Sequence, residues 1–520
     1  MNMFRPWFKL LLMPLLIKPA ALMIGLNMKR ISVWQGCSFA FLLFVSSGAI
    51  HSVKAQNAQV APAVVASEAQ PGGKATSREV TLDKNSFSHS SGNLSSKHEF
   101  DFKIGKAIFR KLWVSSPAST KSSDGLGPLY NARSCQLCHL KDGRGHPPTA
   151  NWPDDDAVSM LMRLSIPAQT EKQKSDLANH RSNSIPDPVY GGQLQDFAVH
   201  GIASEGHIHI SYSPRIVKLA DGKTVKLRAP KYSISEPGYG ALHAGTMMSP
   251  RIANPMIGLG LLDAIDAKDI LTYADPDDRN GNGISGRPNQ VWNIEARKLA
   301  LGRFGWKAGQ PTIRQQIAKA FAGDIGISSP LVAVPSGDCT SAQIKCMAAP
   351  NGENAKIKIP EISKTLFDLV TFYSANLAVP PRRAPYDPQV LKGRELFYSS
   401  GCASCHRPDF TTGKLPDQPH LSNQKIWPYS DLLLHDMGKG LADNRPESVA
   451  DGQEWRTPPL WGIGLTKAVN GHTQFLHDGR ARNLLEAILW HGGEAEAAKL
   501  EVINMNDDAR AALLKFVNSL

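Results

Sequence analysis

Cysteine is scarce in this chain, with seven among 520 residues. So few exclude a scaffold held together mainly by disulfides. A strong surplus of one charge is also missing. The formal net charge is +12, but six cations (Arg5, Lys9, Lys18, Lys29, Arg30 and Lys54) and no acid precede residue 56, so the remainder carries +6. A surplus that small does not support a nucleic-acid partner, and none is expected. Continuous apolar sequence is concentrated before residue 56. There Met28-Lys29-Arg30 is followed by Phe39-Ala-Phe-Leu-Leu-Phe-Val45 and a small-x-small site at Val53-Lys54-Ala55. Residues 28–55 therefore read as a cleaved secretory signal peptide leading to the periplasm. Residues 1–27 are either an over-extended start, with Met28 the initiator, or a membrane anchor; export with cleavage is the expectation.

What is present repays the scarcity. Four of the seven cysteines fall in Cys135-Gln-Leu-Cys138-His139 and Cys402-Ala-Ser-Cys405-His406. C-x-x-C-H is the attachment pattern of c-type haem: two thiols add to the porphyrin vinyl groups, and the adjacent imidazole binds the iron. A lone C-x-x-C permits zinc or redox chemistry, but neither explains a histidine directly after both copies. Two covalently bound haems are expected, whose four propionates offset much of the remaining positive charge. Gly105-Lys-Ala-Ile-Phe109 and Gly393-Arg-Glu-Leu-Phe397 precede the two motifs and make them an internal repeat. Cys339 and Cys346 form either a short-loop disulfide, which suits an exported protein, or two free thiols.

The chain divides into a leader (1–55), a flexible mature N-terminus (56–80), an N-terminal haem region with linker (81–383) and a C-terminal haem domain (384–520). Residues 190–235 alternate polar and apolar, as in His207-Ile-His-Ile-Ser-Tyr-Ser213, and predict a β-hairpin insertion. Helical periodicity marks 312–324, 361–376 and the closing segment 507–520. The fold expected is mainly α, with two cytochrome c-like haem domains, the first elaborated by that hairpin.

His477-Asp-Gly-Arg480 running to His491 resembles the "HDG…LEEAV" segment of the bacterial di-haem cytochrome c peroxidase and MauG superfamily. Further stretches are similar to its di-haem oxidoreductase branch: Asp124–Arg133, Asp142-Gly-Arg-Gly145, Tyr190–Leu194, Gly302–Ala308, Asp431–Gly438 and Glu454-Trp-Arg-Thr-Pro458. The resemblance implies a distal ligand for the C-terminal iron at His491, against the plainer reading of a helix cap before Gly492-Gly493. Met437 is the second candidate, against ordinary core packing. It also implies a tryptophan between the haems, here Trp306, and calcium between the haem domains. Asp278, Asn280 and Asn282 alternate as oxygen ligands would, but the closing Glu of an EF-hand is absent, and an Asn/Gly turn competes. No pattern selects a distal ligand for the N-terminal iron from His200, His207, His209, His243, Met247 and Met256. Such silence fits an open iron that binds peroxide, with Glu205 the first carboxylate to consider for proton transfer. The activity expected is reduction of peroxide, with electrons from a small redox protein relayed through the C-terminal haem. The alternatives are a non-catalytic electron-transfer cytochrome and MauG-like oxidation of a protein substrate.

Overall fold

The computed structural model describes residues 59–353 and 359–520, so the leader lies outside the described residues. Two helix crossings set the plan. Helix Ser96–Arg110 starts where the Ser95 hydroxyl accepts from the His98 N–H, and it crosses helix Lys364–Ala375. Gly105 permits the crossing, because a Cβ there would sit 2.2 Å from the Leu369 carbonyl oxygen. Helix Pro388–Ser399 begins with proline in its first turn and Asp387 accepting from Gln389 and Val390. It crosses the closing helix Asp507–Ser519 at Gly393, where a Cβ would stand 1.9 Å from the Ala512 oxygen. Phe109 and Phe397 follow one turn later. Their rings lie 6.2 Å from His139 and 6.3 Å from His406, and 5.3 Å and 5.2 Å from Tyr373 and Phe516 of the crossed helices. One local plan serves both C-x-x-C-H motifs.

The expectation of a mainly α chain is corrected. The protein is about 30% helix and 18% strand, and the strands form seven two-stranded sheets among the described residues. Helical periodicity is real at the crossings, but it does not extend into the long segments between them. There glycine and proline break the chain into short pairs and turns. The longest pair is the antiparallel hairpin His207–Lys218 with Thr224–Ser235, in register from His207↔Ser235 to Lys218↔Thr224. It straps the C-terminal part of the chain: the Arg228 side chain donates to Gly479 and Arg480 carbonyls, and the Tyr232 hydroxyl donates to Asp478 at 2.9 Å. A second pair, Met160–Ser165 with Met247–Ile252, carries Arg251 and Ile252 toward the interior.

Residues 59–80 are not a loose lead-in. Glu68 is buried between Arg382 at 2.5 Å and Arg394 at 2.7 Å. An Ala/Ser/Gln-rich composition hides that single acid, which two buried guanidiniums require as a partner. Cys339 and Cys346 form a disulfide. Among the described residues no helix is long and apolar enough to cross a membrane.

Candidate functional site

Each C-x-x-C-H motif lies on the wall of its own cavity. The N-terminal cavity, about 640 Å³, includes Cys135, Cys138 and His139 in its lining. His139 Nδ1 is 2.7 Å from the Asn254 carbonyl oxygen, and burial lowers the imidazole's pKa, so the ring is neutral. A neutral ring donating from Nδ1 leaves Nε2 unprotonated, the state in which imidazole binds iron. The C-terminal cavity, about 200 Å³, is bordered by Cys402, Cys405, His406, Met437 and His491. His406 Nδ1 lies 2.9 Å from the Tyr429 oxygen, and burial, with His491 nearby, holds its pKa at about 4. His491 follows helix Leu484–Trp490 as its C-cap, and its Nδ1 lies 2.7 Å from the Ala487 oxygen. Capping and facing the cavity are thus compatible, and its Nε2 is free like that of His406.

Other histidines differ. His435 also borders the C-terminal cavity, but Asp431 (2.9 Å) and Glu494 (2.6 Å) engage both its nitrogens. His200, His207, His209, His243 and Met247 line neither cavity, whereas Met256 lines the N-terminal one. His139 is thus the only histidine on the N-terminal cavity wall among the described residues.

A shared wall separates the two cavities. Trp306, Arg144, Arg456, Pro255, Pro458, Pro459 and Trp461 border both. The indole of Trp306 donates to the Ile252 oxygen at 2.8 Å, with the Arg144 guanidinium 5.3 Å from its ring. Its other neighbour is His477, 6.5 Å away by ring centroid, which stacks on Trp455 at 3.7 Å.

One expectation is not met. Glu205 is buried but lines neither cavity. Its carboxylate accepts from the Gln195 N–H at 2.7 Å and the Gln343 amide at 2.5 Å, and burial pushes its pKa well up. It is a satisfied interior acid and does not reach a ligand in the haem cavity. The acid that borders the N-terminal cavity close to Cys138 is Asp324, which no sequence pattern picks out. The Asp278, Asn280 and Asn282 side chains accept from N–H groups of their own loop, at Gly283, Asn282 and Ile284, as in an Asn/Gly turn. No group of three or more His, Cys, Asp or Glu suited to a metal occurs among the described residues.

The residues fit two haems. Four cysteine thiols outside any disulfide stand on the cavity walls, and three half-buried imidazoles each keep one nitrogen free. Burial pushes the Cys135 and Cys402 thiols up to about 12, so both are protonated thiols at neutral pH. Two such cavities on one wall are the layout of a two-centre redox protein. Over residues 65–520 the chain matches the family model described as "Di-haem oxidoreductase, putative peroxidase", and it belongs to that family. No curated protein matches the chain. Among solved structures it is similar to Kuenenia stuttgartiensis hydrazine synthase pressurised with 20 bar xenon, at 13% identity and a TM-score of 0.26, over 68% of this chain and 89% of that one.

Proposed function

We propose that this di-haem oxidoreductase is an exported c-type enzyme that reduces peroxide at its N-terminal centre with electrons relayed through the C-terminal one. The observation that carries this reading is the asymmetry of imidazoles: of four histidines on one cavity wall, His435 and His477 pair with carboxylates while His406 and His491 keep Nε2 free, and among the described residues His139 alone lines the other. Haem in these cavities supplies an iron whose sixth position decides between electron transfer and binding of an oxidant. Cys135, Cys138 and His139 would hold one haem, and Cys402, Cys405, His406 and His491 are the residues that would hold the other. Asn254, Tyr429 and Ala487 fix the ring tautomers through their carbonyls. Trp306 spans the wall that the electron crosses. Asp324, half-buried on the wall of the N-terminal cavity with its pKa raised by desolvation, is the carboxyl available to hold a proton there. The Cys339–Cys346 disulfide agrees with an oxidising compartment, the periplasm, where a small redox protein would donate electrons.

Met256 on the N-terminal cavity wall favours the second reading, a six-coordinate electron-transfer cytochrome. The ferric optical spectrum and a peroxide-mixing experiment separate the two. A high-spin band, with rapid reoxidation of reduced protein by hydrogen peroxide that His139→Ala abolishes, supports the enzyme. Ferric and half-reduced protein that are wholly low-spin and inert to peroxide support the cytochrome.

A further inference from the structure

Arg144 and Arg456 stand apart from the other buried arginines. Both are buried, at 8% and 5% exposure, and both border both cavities. Other buried arginines have acids: Arg382 and Arg394 share Glu68, Arg251 and Arg445 share Glu447, and Arg480 has Asp478. The Arg144 side chain donates only to backbone oxygens, of Gln474 at 3.1 Å and Leu476 at 2.6 Å. Arg456 does the same, to Gly305 at 2.9 Å and Thr457 at 3.1 Å. The acids whose charge reaches them are committed elsewhere: Asp478 to Arg480 and Tyr232, and Asp431 to His435. Backbone carbonyls satisfy N–H groups but do not neutralise a charge. Burying an uncompensated cation costs several kcal/mol.

Two unneutralised guanidiniums facing two cavities need anions delivered into those cavities. We infer that Arg144 and Arg456 are carboxylate anchors for haem propionates, so that one wall seats the acidic edges of both haems. A guanidinium is suited to this, because its planar fork binds a carboxylate through paired N–H groups and stays charged when buried. Burial pulls both arginines to about 10, which still leaves them cationic at neutral pH. The placement also bears on Trp306. With Arg144 over its ring and only a carbonyl on its N–H, the indole has no carboxylate to take its proton.

The inference rests on the two-haem reading, and haem content separates the two. Full-length protein carrying Arg144→Gln, Arg456→Gln, Arg144→Lys or Arg510→Gln is first assayed for two covalent haems by pyridine haemochrome and mass. Wild-type protein without haem overturns the reading beneath the inference. In loaded protein, spectroelectrochemical titration tests the anchors. Removing either guanidinium leaves propionate charge uncompensated, which favours the ferric state. The expected result is a fall in both midpoint potentials, and an upward move of the pH at which the potentials begin to drop, since each propionate loses the cation that kept it ionised. Arg144→Lys should recover part of the fall. Arg510, buried but paired with Asp221 and Asp507 and lining neither cavity, should change neither potential. Loaded Gln variants with unchanged potentials, or with the same shift as Arg510→Gln, overturn the inference.

Discussion

At the scale of single residues, the haem ligands and their supports give the sharpest expectations. If the thiols form thioethers, denatured protein keeps two haems per chain by mass, and the pair Cys402→Ala with Cys405→Ala leaves one. Haem that acid–acetone extracts from the wild type would refute this. His491→Ala should convert one low-spin ferric signal to high-spin and shift one midpoint potential, whereas an unchanged spectrum would assign the position to Met437. His477 provides a pH test. Its imidazole is buried and stacked on Trp455, and burial lowers its pKa to about 3. In the unfolded chain it takes up a proton near its ordinary value of about 6.5. Between those values the unfolded state binds more protons, so stability falls as pH falls, by up to about 1.4 kcal/mol per pH unit from this group. His477→Phe keeps a ring against Trp455 and removes that proton. Urea midpoints of the variant should therefore decline less steeply from pH 6 to pH 4, and equal slopes would rule the account out.

At the scale of elements, the two helix crossings depend on a missing side chain. Alanine at Gly393 would drive a methyl to 1.9 Å from the Ala512 oxygen. The last helix must then move off Phe397 and the ring of His406. Gly393→Ala should cost about 1–3 kcal/mol or more, the usual penalty of overpacking, measured as a lower unfolding midpoint with loss of the C-terminal haem. An exposed glycine such as Gly222, whose Cβ meets nothing, still carries a positive φ of 85° and serves as a control for backbone strain alone. These crossings were legible in the sequence because glycine, phenylalanine and C-x-x-C-H recur at matched spacing. The hairpin's position was not legible. Alternation marks a strand, but the contacts that lay it over the C-terminal part come from Arg228 and Tyr232, some 250 residues from their partners. Glu68 escaped for the same reason, since nothing local in an Ala/Ser-rich stretch announces a buried acid.

At the scale of the whole molecule, the shared wall is the feature that neither half contains alone. It is assembled from distant stretches: Arg144 after the first motif, Trp306 midway, and Arg456 to Trp461 beyond the second. Each stretch was visible as a family segment in the sequence, yet their convergence is a property of the folded chain, so the roles of Arg144 and Arg456 stayed hidden. Trp306 was found because the resemblance supplied its role; Glu205 was misplaced because a carboxylate between a histidine and a glycine says nothing about which cavity it faces. The wall makes one kinetic prediction. Trp306→Phe keeps an aromatic ring but removes the N–H that holds Ile252 and shortens the conjugated surface between the cavities. Both haems should remain attached, and the ferric spectrum should be unchanged. Steady-state peroxide reduction should slow by at least tenfold, while binding of peroxide in single-mixing experiments keeps its rate. A variant that slows binding as well would show that the indole shapes the N-terminal cavity. Full turnover in the variant would route the electrons elsewhere, with Trp461, the second indole that borders both cavities, the next to test.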